Sequence, residues 1–482
     1  MRFEKWAVAA TAVAIAVACC APKPALRLIV SMQEEQEAYY RDELVPAFEK
    51  TYPSVVEVVH YDDADSLESI LRQDPGTISL IKVPFEKAGP LMRSGVLMPL
   101  DSVLDKDELR AFDDTYLMTS LGSFDNRRYL IPQRFGTHIM VYRKSRVADV
   151  TDSWRNFRDT ISTLLKNCNG YGLPATYLLE DDPQKWDYYD IFVLGWIWSH
   201  MLYEGRVHPR VAHSGKHYSG TFHRMIDRIT QLGGDSAAVM AMEGDAVIDA
   251  VYWEALYTAN NVYNGKMWSE QWSGQDILRR FGAGELFLTF MTQSECFSLY
   301  GADNDSSGGR MSDPDDVGVA TMPLGCSFDL DTNGIPRYGT KAVTTNGWWW
   351  AIPAGTPDRR LSYRLASFIT SAAVQIQECS RFGMIPVRKD ILGDMTMLFS
   401  GGWIGNMYDA SFRQMVLNGY TVIPGSPDFT GVGRLYLDIL DEVVAAKGWA
   451  PVQGANPQRQ YIIDVVAGTY QPKIARRYGT AP

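Results

Sequence analysis

Apolar positions near the start of the chain switch between two periods. From Ala25 they read strand, helix, strand, helix, strand: Leu26–Val30 is a short aliphatic run ending at Ser31-Met32-Gln33-Glu34, and Tyr40, Leu44 and Phe48 then recur four apart on one helical face. Pro46 predicts a kink in that helix, because proline has no N–H to donate. Val55–Val59 is a β-branched strand, Ser66–Arg72 a helix stopped by Asp74-Pro75-Gly76, and Ile78–Val83 a third strand. Pro84–Arg93 begins a further helix that Gly95 ends. This alternation implies an α/β lobe with a parallel sheet and crossover helices.

A second region opens near Arg134 with the strand His138–Tyr142. An aromatic-rich helix is expected between Asp187 and Glu204, with Trp196 and Trp198 as buried scaffolding, and further helices over Gly220–Leu232 and Asp245–Asn260. Strand character returns at Leu286–Phe290, Val317–Met322 and Trp348–Ile352, and Ala302–Arg310 reads as a surface loop. Pro357 starts a helix with Leu361, Leu365 and Phe368 on one face, running toward Phe382-Gly383. Leu435–Ala446 and Tyr461–Ala467 close the chain as helices. No internal repeat is present.

Before this pattern lie Arg2 and Lys5, an apolar run from Trp6 to Ala18, and the pair Cys19-Cys20. The run is too short for a permanent membrane helix and reads as the core of an export signal. Small Ala18 before Cys19 suits a lipoprotein signal peptidase, which makes Cys19 the expected lipidation site, although Ala16 stands where a large aliphatic residue is usual. Cys20 as the anchor, or an ordinary cleaved signal, are the alternatives; each reading takes the protein out of the cytoplasm. Of the other cysteines, Cys168, Cys296, Cys326 and Cys379 allow three full pairings in an oxidising compartment, and their spacing is too wide for a zinc ribbon.

The net charge of -11 over 482 residues excludes a non-specific phosphate-binding surface, so nucleic acid is not an expected partner. No Gly-x-Ser-x-Gly, His-Glu-x-x-His or phosphate-loop motif occurs. His213 and His217 are four apart, but Ser-Gly-Lys between them reads as a turn, and no metal or other cofactor is expected.

Several ordered segments carry a resemblance. DELVPAFEKTYPSVVEVV (42–59), AGPLMRSGVLMPLDSVL (88–104), YLIPQRFGTHIMVYRKS (129–145), FGAGELFLTFMTQSE (281–295), GWWWAIPAGTP (347–357) and RFGMIPVRKDIL (381–392) resemble, in this order, elements of the extracellular solute-binding proteins of family 1. These are the maltose-binding-protein-like lipoproteins that serve carbohydrate importers. Leu286-Phe287-Leu288 departs from the small residues usual there, and the stretch from Pro183 to Trp272 is longer than the family pattern.

The resemblance implies a two-lobed α/β fold of the periplasmic-binding-protein type II class, with hinge crossings between the lobes. The expected units are a signal peptide (1–18), an anchor and linker (19–25), one lobe from 26–133 plus 345–395, and a helix-rich second lobe from 134–344 plus 396–482. It implies a monomer, lipid-anchored outside the cytoplasmic membrane, that captures a small solute and delivers it to the permease subunits of an ABC transporter without chemical change. Sugars call for flat aromatic platforms and directional polar groups. The candidates where the family places its cleft are Gln33 and Glu34 after the first strand; Gln133, Arg134 and Phe135 at the first crossing; Thr292, Gln293 and Ser294; Asn346, Gly347 and Trp348 at the last crossing; and Trp186 and Phe429 from the second lobe. Along a strand, Trp348 and Trp350 point one way and Trp349 the other, so at least one of them belongs to the core. Arg134 has a plainer role open to it as a salt-bridge partner at a hinge, and Glu34 as a helix cap. Two other readings are an exported glycosidase, which needs a spaced carboxylate pair, and a binding protein for a solute other than a sugar.

Overall fold

The computed structural model describes residues 24–151, 153–200, 210–299, 313–344, 346–391, 402–421, 429–445 and 457–478. Nine strands build its two principal sheets. In chain order they are β1 (Ala25–Val30), β2 (Val55–His60), β3 (Leu80–Pro84), β4 (Leu130–Gly136), β5 (His138–Arg143), β6 (Arg210–Ala212), β7 (Leu286–Thr292), β8 (Val317–Ala320) and β9 (Asn346–Ala351).

The first sheet has the order β2-β1-β3-β9-β4, and the second β8-β5-β7-β6. β1 pairs in parallel with β2 and β3, while β9 returns from the second sheet and pairs antiparallel with both β3 and β4. Consequently the ends of β1, β3 and β4 and the beginning of β9 share one edge. In the second sheet the start of β5 lies beside the end of β7, with His138 opposite Thr292, and near the end of β8. Thr137 alone separates β4 from β5, so the two sheets face each other across a one-residue crossing.

Two separate apolar cores match the two sheets. Leu28, Val30, Ile81, Val83, Leu130, Ile131, Trp349 and Trp350 belong to the first. Ile139, Val141, Trp198, Trp253, Phe287, Leu288 and Phe328 belong to the second. Each is large enough to hold its own lobe, because burial of one such side chain contributes about 1.5–3 kcal/mol.

Local chemistry explains where the elements begin and end. Tyr40, Leu44 and Phe48 are buried on one face, as their spacing implies. In place of a sharp kink, a widened turn at Tyr40–Leu44 joins the helical segments Glu34–Tyr39 and Val45–Thr51, directly before Pro46. The single helix expected after Pro357 is two, Arg359–Ile369 and Ala372–Phe382, with Ser371 in extended conformation at the break. Gly383 then stops the second with φ +62°. β4 is not among the expected strands; Pro132 is tolerated in it because the strand is at the sheet edge and a bulge sits opposite at Trp348/Trp349.

Trp196 and Trp198 are buried, as expected of scaffold. Cys168, Cys296, Cys326 and Cys379 are buried free thiols, and burial raises all four, Cys168 to about 11, which keeps them protonated and unreactive. Cys19, the signal segment and the loop 302–310 lie outside the described residues.

Candidate functional site

The edge shared by β1, β3, β4 and β9 gathers an aromatic ring and a group of charges. Trp349 and Trp350 are fully buried on opposite faces of β9, whereas Trp348 remains half-buried at the strand's open end. The backbone beside it is unusually close: a Cβ on Gly347 would stand 2.5 Å from the Arg134 carbonyl oxygen, so only glycine fits there. Register places Arg134 opposite Trp348, and its guanidinium carbon lies 6.0 Å from the indole centroid. From β3, the Lys82 ammonium approaches the same ring to 4.7 Å.

Lys82 is fully buried, and its Nζ has no hydrogen-bond partner among the described residues. Among the described residues, the carboxylate that acts on both members of this pair is Glu378, also fully buried, on the helix Ala372–Phe382. Its Oε1 accepts from Tyr40 Oη at 2.8 Å and from Gln36 Nε2 at 2.9 Å, and Gln133 Nε2 stands 3.5 Å away. Burial drives the Lys82 ammonium well below the usual lysine range, the Arg134 charge pushes the same way, and Glu378 opposes both. Burial likewise raises the Glu378 carboxyl, against hydrogen bonds from Tyr40 and Gln36 and the positive charges of Lys82 and Arg134.

The two crossings are fastened to the second lobe by two side chains. Gln293 is buried after β7; its Oε1 accepts from Thr137 N at 3.1 Å and its Nε2 donates to Phe135 O at 3.2 Å. Asp227, fully buried on the helix Ser219–Gln231, reaches both crossings at once. Its Oδ2 is 2.5 Å from His138 Nδ1, and its Oδ1 accepts from Thr344 N at 2.7 Å and Thr344 Oγ1 at 2.6 Å. Burial would raise the Asp227 carboxyl, but His138, Arg224 and the Thr344 hydroxyl hold it below the usual range. Glu86, in the first turn of the helix Phe85–Arg93, is close enough to His223 of the second lobe to counter part of that imidazole's burial penalty. The lobes therefore approach each other at this edge.

The candidates from the sequence are distributed as follows. Gln133, Arg134, Gly347 and Trp348 come together at the cluster. Gln33 and Glu34 are exposed at the start of the first helix, where Gln33 makes no side-chain cap bond. Phe135 is in the core, edge-to-face with Trp349 at 5.8 Å. Gln293 is spent on the crossing, while Thr292 and Ser294 belong to a helix cap in which Thr292 Oγ1 donates to Glu295 Oε2 at 2.9 Å. Trp186 is fully buried in the second lobe with its indole N–H given to Glu180 O at 2.7 Å, which leaves it no free face. The side chains of Asn346 and Phe429 lie outside the described residues. His213 is bound to Glu254 at 2.9 Å and His217 turns toward Asp438 and Asp441, so the two histidines do not converge.

Lys82, Glu378, Tyr40, Gln36, His138 and Asp227 were not singled out from the sequence. One of them had a visible signal: Lys82 is a lone charge in the apolar run Leu80-Ile81-Lys82-Val83. The others sit in helices or strands whose pattern gives no hint of a partner in another lobe.

Comparison with known proteins agrees with this architecture. No curated protein matches the chain in sequence. Maltose-bound MalE3 of T. maritima superposes with a TM-score of 0.62 at 16% identity, over 92% of this chain and 99% of that one. The GacH receptor of Streptomyces glaucescens gives 0.61 at 14%, over 93% and 100%. An oligosaccharide periplasmic-binding protein of Synechococcus sp. MITs9220, so described provisionally, gives 0.65 at 12%, over 94% and 100%. The fold is thus that of the two-lobed periplasmic solute-binding proteins. The sequence profile described as "Bacterial extracellular solute-binding protein" matches residues 43–397, most of the chain. With its two lobes, their paired crossings and this match, the chain belongs to the bacterial extracellular solute-binding protein family.

Proposed function

We propose that this protein is the solute-capturing component of an ABC-type importer, that it binds a mono- or oligosaccharide between its lobes, and that it hands the solute to membrane permease subunits without transforming it. The observation that carries this reading is the half-exposed Trp348 ring at the inter-lobe edge, flanked by Arg134 and backed by polar side chains. A flat ring with directional donors beside it suits a pyranose, whose C–H face stacks while its hydroxyls hydrogen-bond. Related folds are recorded with maltose, acarbose and cycloalternan. Capture proceeds by a population shift from open to closed, in which the short crossings at 136–138 and 344–346 absorb the rotation.

The location outside the cytoplasm follows from the family; anchoring through a lipid on Cys19, and action as a monomer, are part of the same proposal. No described helix is long and apolar enough to cross a membrane. The deciding experiment is a thermal-shift screen against mono- and oligosaccharides, because a ligand that binds only the folded state raises Tm by mass action. A saturable shift that vanishes in Trp348→Ala supports the reading. Steady conversion of the hit into product, or no shift from any saccharide, refutes it. Metabolic labelling with a fatty acid, lost on Cys19→Ser, tests the anchor.

A further inference from the structure

The cluster beneath Trp348 is unbalanced in charge and in hydrogen bonding. Two cationic side chains, Lys82 and Arg134, stand against the single carboxylate of Glu378. That carboxylate accepts from Gln36 and Tyr40 through Oε1, its Oε2 has no hydrogen-bond partner among the described residues, and no ion pair among them joins it to either cation. An ammonium offers three donors and a guanidinium five, with no acceptor on either. At Lys82 Nζ none is used, although the atom is fully buried. A buried charge left in this condition costs several kcal/mol, which loss of the proton or direct pairing relieves; no pair is present among the described residues, and an arriving anion would supply one.

The second lobe repeats the feature beside its own crossing. Arg224 is buried, with Nε, Nη1 and Nη2 all lacking hydrogen-bond partners among the described residues, and its guanidinium carbon lies 4.1 Å from the centroid of the Phe290 ring near the end of β7. Asp227, one turn along the same helix, spends both oxygens on His138 and Thr344 and makes no direct bond to it.

We propose that the solute is anionic: a sugar-sized molecule bearing a carboxylate or phosphate, whose acid group is received by Lys82 and Arg134 at the edge of the Trp348 ring. This rests on the solute-binding reading above and narrows it. A neutral saccharide presents hydroxyls that donate as readily as they accept, and the unpartnered acceptors Glu378 Oε2 and Gln133 Oε1 could take some of those protons, but no hydroxyl supplies the negative charge that two cations beside one carboxylate lack. An acid group is acceptor-only when ionised, and it supplies the missing negative charge. The ring beside the two cations then stacks on the body of the molecule. Glu378 is close enough for its charge to act on both cations without bonding to either.

Isothermal titration of the full chain with matched pairs tests this: glucose with glucuronate, galactose with galacturonate, and glucose with glucose 6-phosphate. An acidic member is expected to bind at least tenfold tighter than its neutral partner, with affinity falling as salt rises. The uronate and phosphate arms separate the two acid chemistries. Lys82→Met is expected to lose tenfold or more toward the acid and to leave the neutral partner within twofold. Arg134→Gln provides the same readout if the first variant does not fold. Equal or tighter binding of the neutral partner overturns the inference and leaves the proposed function standing, as does acid binding indifferent to both substitutions. Absence of binding across these pairs, neutral oligosaccharides, amino acids and polyamines overturns both.

Discussion

Each lobe buries a cluster of opposite charges, and the two clusters are finished differently. In the second lobe, Glu254 is bracketed: Oε1 lies 2.6 Å from Arg228 Nε and Oε2 lies 2.9 Å from His213 Nε2. Arg228 donates to Tyr263 Oη at 2.7 Å and its guanidinium sits 4.7 Å and 5.1 Å from the rings of Tyr188 and Tyr257. In the first lobe, Lys82, Arg134 and Glu378 share a neighbourhood without direct pairing. Both clusters bear a desolvation cost of the same kind. One recovers it through an ion pair, even though Arg228 Nη1 has no hydrogen-bond partner among the described residues; the other has no ion pair among the described residues and leaves the Lys82 ammonium without a hydrogen bond at the edge where the lobes meet, the place proposed above for the solute.

The comparison is tested hardest at Glu254. Removing it leaves Arg228 buried and uncompensated, so Glu254→Ala should lower the unfolding free energy by about 3–5 kcal/mol, read from denaturant midpoints at unchanged m-value. Burial alone would raise this carboxyl, but Arg228 and His213 hold it down to about 2. Its folded value is below the unfolded one, near 4.3. The pair's stabilisation is therefore complete above about pH 5 and is lost as pH falls through 4 toward 2. Glu254→Gln should flatten that acid limb. An Ala variant within about 1 kcal/mol of the parent would mean that the second cluster is no more structural than the first.

Asp227 is intermediate, since it is fully paired yet joins the two crossings. Asp227→Asn weakens three charge-assisted hydrogen bonds and is expected to cost about 2 kcal/mol. It should also loosen the relation between the lobes, visible as an increased radius of gyration in solution scattering without ligand. Unchanged scattering with the full stability loss would confine Asp227 to the scaffold of its own lobe.

The difference between the clusters also sets what the sequence could reveal. Strand and helix order came through because periodic apolar positions such as Tyr40, Leu44 and Phe48 report one face at a time. Alternation set Trp349 apart from Trp348 and Trp350, but the latter two point the same way and only nearness to the crossing told them apart, so the sequence left open which of the three meets a solute. Pro132 hid β4 altogether, since its tolerance depends on being at a sheet edge, which no local pattern states. Trp186 looked like a ligand platform and is core, because a tryptophan signals size and not which side of a layer it faces. Glu378 and Asp227 were invisible: each acts on residues more than eighty positions away, through contacts that exist only after the lobes form. Lys82 could have been read, as an uncompensated charge in a strand with no exposed face.

Trp348 has less to lose in stability than the buried pair. It is half-buried, so Trp348→Ala should cost about 1–2 kcal/mol, below the about 3–5 typical of a fully buried tryptophan, while solute affinity falls by far more. Trp350→Ala, a fully buried neighbour on the same strand, should show the reverse proportion. Equal losses of stability in the two variants would place Trp348 in the core with its neighbours.

The smallest effect is expected at Lys82, and its sign is the informative part. If the lysine served the fold, Lys82→Met would break an interaction and lower stability. The ammonium has no hydrogen bond among the described residues to lose, only its approach to the Trp348 ring, and methionine fills a similar volume without a charge to desolvate, so the variant should be unchanged or more stable by about 1 kcal/mol. The pH dependence follows from the direction of the lysine shift. Its folded value lies well below the unfolded one, so the unfolded chain binds the extra proton between those two values and parent stability rises with pH across that interval. The penalty is full at low pH and vanishes once pH exceeds the unfolded value near 10.4. The advantage of Lys82→Met should therefore be greatest at the acid end of the folded range and shrink as the solution is made alkaline. A variant less stable than the parent at neutral pH, with the gap closing in neither direction, would show that Lys82 is paired in solution, and the contrast between the two lobes would fall with it.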